Sequence, residues 1–174
     1  MNTLNRIRRN KIYREAEGYL ELGLPRQALG SLGRLGDPTG FDARAMFLWG
    51  EALRAMQRYE EALVPLEQAA AAEPENIHIW LALGWCYKRT GRLEMAIDSL
   101  EAALAADPSE ALLHYNLACY LSLSGQRDES LHRLTQALAI EPGYRMLLDD
   151  ESDFNPIRDD PEFQALGRGE GVPG

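Results

Sequence analysis

An all-α array of antiparallel helix pairs is the fold this sequence predicts, and three observations predict it. The prolines Pro74, Pro108 and Pro142 stand 34 residues apart. The same step joins Gly50, Gly84 and Ala118, then Ala62, Ala96 and Ser130, then Leu66, Leu100 and Leu134, then Ala69, Ala103 and Ala137. A fixed period of this length marks stacked supersecondary units. Within the period the apolar residues follow helical spacing: Trp80, Leu83, Gly84 and Tyr87 fall at i, i+3, i+4 and i+7, one face of a helix. Breakers then divide the period in two. Gly91 closes the first stripe, and Asp107-Pro108 closes the second, which runs through Leu93, Ala96, Ile97, Leu100, Ala103 and Leu104.

Four units follow along the chain. The first, 9–42, is degenerate: Ala16, Tyr19, Gly23, Ala28 and Leu32 keep the pattern, but Gly30, Gly33, Gly36 and Gly40 crowd its second half. The second, 43–76, carries Met46 in the column of Trp80 and keeps Trp49, Gly50, Leu53, Ala62, Leu66, Ala69 and Pro74. Pro65 lies inside its second helix, where it removes one backbone hydrogen bond and is expected to bend the helix. The third unit, 77–110, is nearly complete. The fourth, 111–144, puts His114 in the tryptophan column and Ser130 in the first alanine column. The small residues at Gly50, Gly84 and Ala118 let paired helices approach, so large side chains there should overpack the interface. A stack of such pairs needs an atypical end. The stretch 145–166, opening on Arg145-Met146-Leu147-Leu148, suits a closing helix anchored by Phe154, Ile157, Phe163 and Leu166. Residues 167–174 are expected to be a flexible tail.

These columns resemble the tetratricopeptide repeat. Trp80-x2-Leu83-Gly84-x2-Tyr87, followed by Ala96-x3-Leu100 and Pro108, is similar to its signature, with Leu100 where an aromatic is often found. The resemblance covers residues 9–144 and implies a right-handed α-solenoid, a single domain over 1–166. The ending after residue 144 looks like one often found after the last repeat of bacterial tetratricopeptide proteins.

Composition narrows the function. The 174 residues are 45% apolar and 26% charged, as in folded proteins. The 27 acidic residues against 18 Lys and Arg leave a net charge of −9, which argues against nucleic acid as a partner. The basic start Arg6–Arg14 reads as a solvated helix face. No stretch approaches the ~18 apolar residues that would cross a membrane. No apolar run follows the basic start as in a secretion signal, and two cysteines make no disulfide framework, so a cytoplasmic location is expected.

No chemistry emerges from the motifs. No His or Cys pair has metal-ligand spacing, and the glycines at 30, 33, 36 and 40 lack the Lys-Ser/Thr ending of a phosphate loop. Asp149-Asp150-Glu151 and Asp159-Asp160 read as solvated carboxylate runs. The expectation is a non-enzymatic protein without cofactor or metal.

Function then falls to surface shape. The resemblance implies that the first helix of each unit lines a concave ligand face. The available columns are Tyr13 and Glu17 in unit one; Arg44, Phe47, Glu51 and Arg54 in unit two; His78, Leu81, Trp85 and Lys88, with Arg89, in unit three; and Tyr115, Asn116 and Cys119 in unit four. Trp85 stands out, because Trp80, Leu83 and Tyr87 already fill the packing columns beside it. It either anchors a ligand or packs on groove neighbours and the chain's own C-terminal segment. Arg44, Arg54, Lys88 and Arg89 against Glu51 give a local charge of +3. The expected partner is a protein or peptide segment with large apolar and some acidic side chains. The carboxylate clamp known from co-chaperone tetratricopeptide domains is missing: Tyr13, Glu17, Leu48, His78 and Ala82 replace its Lys, Asn and Arg positions. The leading expectation is therefore a protein–protein adaptor. A self-assembling scaffold, and hence a homo-oligomer, is an alternative, since residues 1–14 carry five basic and no acidic groups while 145–174 carry 8 acidic and 3 basic ones. A small secretion chaperone is another.

Overall fold

The computed structural model describes residues 3–37 and 40–170, and every regular element among them is helical. The helices are α1 (Thr3–Glu21), α2 (Pro25–Leu32), α3 (Ala43–Ala55), α4 (Tyr59–Ala72), α5 (Ile77–Arg89), α6 (Leu93–Ala106), α7 (Ala111–Leu123), α8 (Arg127–Ile140) and α9 (Pro161–Gly167). Short 3-10 turns occupy Gly33–Leu35, Pro142–Leu147 and Ser152–Ile157. The chain divides into two units, 1–91 and 92–174.

The period is visible in the backbone itself. Helices α3, α5 and α7 each have 13 residues, and α4, α6 and α8 each have 14. The three shorter ones open on one column of caps, Asp42, Asn76 and Glu110, each accepting from a backbone N–H just inside its helix. The turn inside each pair places one residue in the left-handed region: Gly23 (φ 69°), Gln57 (60°), Gly91 (77°) and Gly125 (78°), again 34 apart. After three of them the next N–H reaches back to the fifth residue before it, from Leu24 to Tyr19, Arg58 to Leu53 and Gln126 to Leu121. This closes the first helix of the pair in a Schellman-like turn. Gln57 holds with a side chain the conformation that glycine adopts freely in the other three. Gln57→Gly is therefore expected to stabilise the protein by about 0.5–1 kcal/mol in urea unfolding.

In the first unit α1 packs on α2 and α3, and α3 on α4 and α5. Ile12, Tyr13, Ala16, Ala28, Leu32, Ala45, Leu48 and Ala52 form one core, edged by Phe41 and Trp49, whose rings meet at 5.6 Å. The degenerate segment thus makes a true helix pair. Its second helix is only 8 residues long, because the glycines from Gly30 onward carry little helix propensity. Helix α4 runs unbroken through the buried Pro65. At Gly50 the backbone of α3 approaches α4 so closely that an added Cβ would lie 2.5 Å from Leu66 Cγ.

In the second unit α7 is enclosed by α6, α8 and the 3-10 turn Ser152–Ile157. The departures from the repeat pattern each have a local reason. His114 Nε2 donates to Pro108 O at 2.9 Å, as Trp80 Nε1 does to Pro74 O at 2.8 Å in the same column. Ser130 is buried, and its hydroxyl donates to Ala118 O at 2.7 Å.

The C-terminal stretch is two 3-10 turns and a short helix in place of the one closing helix expected from Arg145-Met146-Leu147-Leu148. Pro142, Pro156 and Pro161 supply no N–H to a continuous ladder, so the segment turns repeatedly. Its anchors Phe154, Ile157, Phe163 and Leu166 are all buried. Two residues of the acidic runs work as caps: Glu151 accepts from Asp153 N, and Asp160 from Glu162 N and Phe163 N. Asp160 also takes a two-pronged ion pair from Arg127 (2.6 and 3.0 Å), which holds its carboxyl below the usual range. Arg158 donates to the carbonyls of Leu148, Asp149 and Glu151 and ties the first 3-10 turn to the second. Of the tail 167–174, Gly167 ends α9 and Arg168 pairs with Glu170, while 171–174 lie outside the described residues.

Candidate partner-binding face

The first unit presents a face built from the exposed and half-buried positions of α1, α3 and α5. At its α1 edge Tyr13 is buried, and its phenol donates to Asp42 (Oδ1 2.8 Å, Oδ2 2.7 Å) while accepting from Arg9. Burial, with the Asp42 hydrogen bond, pushes that phenol above its ordinary pKa. Asp42 is also the cap of α3 (Ala45 N at 3.0 Å), so one carboxylate ties α1 to the start of α3. This Arg9–Tyr13–Asp42 cluster joins residues of unlike columns, so the repeat pattern does not reveal it. An aspartate directly before a helix was the available signal.

The charges on the face are mostly paired. Arg44 grips Glu17 (Nη2–Oε1 2.6 Å) and lies over the Tyr13 ring at 5.1 Å. Arg54 binds Glu51 through two hydrogen bonds of 2.6 and 2.8 Å, which raises the guanidinium pKa further. Glu17 was absent from the charge count that gave +3, and its pairing with Arg44 reduces the expected excess. Arg89 points elsewhere, over the Tyr59 ring of α4 at 5.2 Å.

What remains is an apolar row. Phe47 and Leu81 are half-buried, and Trp85 is 40% exposed with the Lys88 ammonium 5.6 Å from its ring centre. His78 is exposed at the start of α5. Of the three tryptophans Trp85 alone is exposed, while Trp49 and Trp80 are half-buried. Beneath the row the Cys86 thiol is fully buried, and desolvation pushes its pKa up to about 12, so it is no nucleophile at neutral pH.

The fourth-unit columns are corrected by the structure. Tyr115 and Cys119 are 4% and 2% exposed, not open groove positions. Tyr115 packs on Tyr144 at 4.9 Å and edge-on to Phe154 at 5.7 Å, so the C-terminal segment already covers that stretch of α7. Asn116 beside them is half-buried. Columns fix which face of a helix a residue occupies, but not what later chain lies on it.

Among the described residues no cluster of three His, Cys, Asp or Glu side chains is placed to hold a metal. Nor is any helix of the described residues long and apolar enough to cross a membrane.

The sequence model of the tetratricopeptide repeat matches residues 53–118. No curated protein sequence matches significantly. Among solved structures the chain resembles MamA, with a TM-score of 0.70 at 23% identity over 79% of this chain and 80% of that one. A second MamA structure gives 0.73 at 19% identity over 94% of both chains. YrrB, a TPR protein with an unusual peptide-binding site, gives 0.70 at 20% identity over 80% of this chain and 72% of its own. Identities at this level establish the shared fold. The 34-residue period, with its columns of caps and turns, extends beyond residues 53–118, the stretch that the tetratricopeptide repeat model matches.

Proposed function

We propose that this chain is a non-enzymatic adaptor that takes a partner peptide or helix on the α1–α3–α5 face, with Trp85 as the anchor. The observation that carries this reading is Trp85 itself: 40% exposed, cation-backed by Lys88, in a row with Phe47 and Leu81. Aromatic side chains of this kind dominate binding hot spots. Likeness in fold to YrrB, with its peptide-binding site, supports a peptide as the ligand class. The ligand presents a large apolar side chain to Trp85. Its acidic groups meet the outer edges of Arg44 and Arg54, which stay partly exposed in their ion pairs.

The test is selection of a displayed peptide library on the folded chain, followed by calorimetry on the selected sequences. Trp85→Ala is expected to leave helical content unchanged and to weaken binding at least about tenfold, the scale of a hot-spot truncation. Undiminished affinity in a folded Trp85→Ala variant would move the site away from this face. Collapse of the helical signal would make Trp85 a core residue.

A further inference from the structure

We propose a second binding surface, distinct from the α1–α3–α5 face: a groove between α8 and α9 that receives the outer face of α1 from another copy of this chain. The groove has a volume of about 490 Å³ and a floor of Leu131, Ala165 and Leu166. Asp128, Glu162 and Glu170 form its rim, with Arg127. Arg127 is held by the two-pronged pair with Asp160, a carboxylate only 17% exposed, so its charge is largely spent inside the fold. Asp128 and Glu162 keep 89% and 69% of their side-chain surface in solvent, although both touch Arg127. Glu170 is paired with Arg168, so Asp128 and Glu162 give the rim its acidic excess, over a lining of Leu131, Ala165 and Leu166 with His132 and Thr135.

Helix α1 is its complement. Ile12, Tyr13 and Ala16 fix the buried side of the helix. At 100° per residue the opposite side centres on Ile7, which is 61% exposed, with Lys11 and Arg14 flanking it and Arg6 and Arg8 at its margins. An isoleucine this open amid four cations has no role in the first unit's own core. Seated in the α8–α9 groove, Ile7 meets the leucine floor while the cations meet the acidic rim. This is the helix-in-groove mode of recognition, with charge setting register and direction. Donor and acceptor surfaces are different parts of the same chain, so the contact is heterologous. It builds a ring or an open chain of copies instead of a two-fold dimer.

Sedimentation velocity of the full chain over a concentration series tests the proposal. The wild type is expected to at least double its average mass with concentration in low salt. It should return to monomer in about 1 M salt, where screening falls to about 3 Å. A double variant of α1, Lys11→Glu with Arg14→Glu, should stay monomeric. So should a groove variant, Asp128→Lys with Glu162→Lys. An equal mixture of the two should assemble again, because each restores the charge pairing that the other lacks. Ile7→Asp, which leaves the groove untouched, should also be monomeric. A wild type that stays monomeric at all concentrations overturns the proposal. So does assembly of either folded charge variant alone to the wild-type extent, or failure of the mixture to assemble.

Discussion

Gly50→Leu is expected to cost about 3 kcal/mol or more of stability, measured by urea unfolding, because no room exists for the new side chain. A single Cβ at Gly50 already lies 2.5 Å from Leu66 Cγ and 2.6 Å from its Cδ2, inside any permitted contact. Leu66 is fully buried and has no solvent to swing into, so either its rotamer or the α3–α4 spacing must yield. Gly50→Ala is a milder probe. It gains up to about 1 kcal/mol of helix propensity and loses about 1–3 kcal/mol to overpacking, leaving a small net loss. A double-mutant cycle separates crowding from other causes. Leu66→Ala alone should cost about 2–5 kcal/mol through the cavity it opens. Combined with Gly50→Leu, the new leucine fills that space, and the pair should cost at least about 1 kcal/mol less than the sum. Strict additivity would mean that Gly50 is small for a reason other than Leu66. The column itself supports the crowding account. Ala118 stands where Gly50 does, so a methyl is tolerated in the α7–α8 pair, whose interface is set differently by the Ser130 hydroxyl bound to Ala118 O.

Most of the fold was legible because a repeat states the same physical requirement several times over. Pro74, Pro108 and Pro142 fixed the period, and the helix lengths, caps and left-handed turns all follow it. Legibility faded where repetition did. The first pair was blurred by its glycines, yet Ala16, Ala28 and Leu32 still pack as their columns require. After residue 144 no repeat guides the reading, and one helix was expected where proline spacing produces two 3-10 turns and a short helix. The candidate site was legible to the same degree. Trp85 could be singled out because the neighbouring columns were already occupied. The pairing of Arg44 with Glu17 could not, since it joins different helices at unlike columns and depends on how α1 and α3 are set side by side. The burial of Tyr115 was hidden for a related reason: it is decided by Tyr144 and Phe154, which belong to no column.

Phe154→Ala should release that cover and cost about 3–5 kcal/mol, the range for emptying a fully enclosed aromatic site. Phe154 has no exposed surface and joins Tyr115 at 5.7 Å to Phe163 at 5.2 Å, so its ring is the link between α7 and α9. The consequence is local as well as global. Tyr115 OH is buried without a hydrogen-bond partner, and desolvation holds its pKa above the ordinary 10.0. In the unfolded chain the same phenol ionises near 10.0, so unfolding is favoured increasingly as pH rises above that value. Below it the phenol is neutral in both states and contributes no pH dependence. The wild type should therefore lose stability steeply on the alkaline side. If Phe154→Ala opens the segment over α7, water reaches Tyr115, its pKa returns toward the ordinary value, and this alkaline loss becomes shallower. Ultraviolet titration of the phenols, with urea unfolding at matched pH, measures both effects together. A variant that loses stability while Tyr115 keeps its raised pKa would show that Tyr144 alone suffices to shield α7. A variant that loses neither would remove Phe154 from the core. Were the C-terminal segment to lift while α3 to α5 stayed folded, the stretch of α7 around Tyr115 and Cys119 would join the exposed surface. That stretch is closed because the rings of Tyr144 and Phe154, both from the later chain, sit on Tyr115.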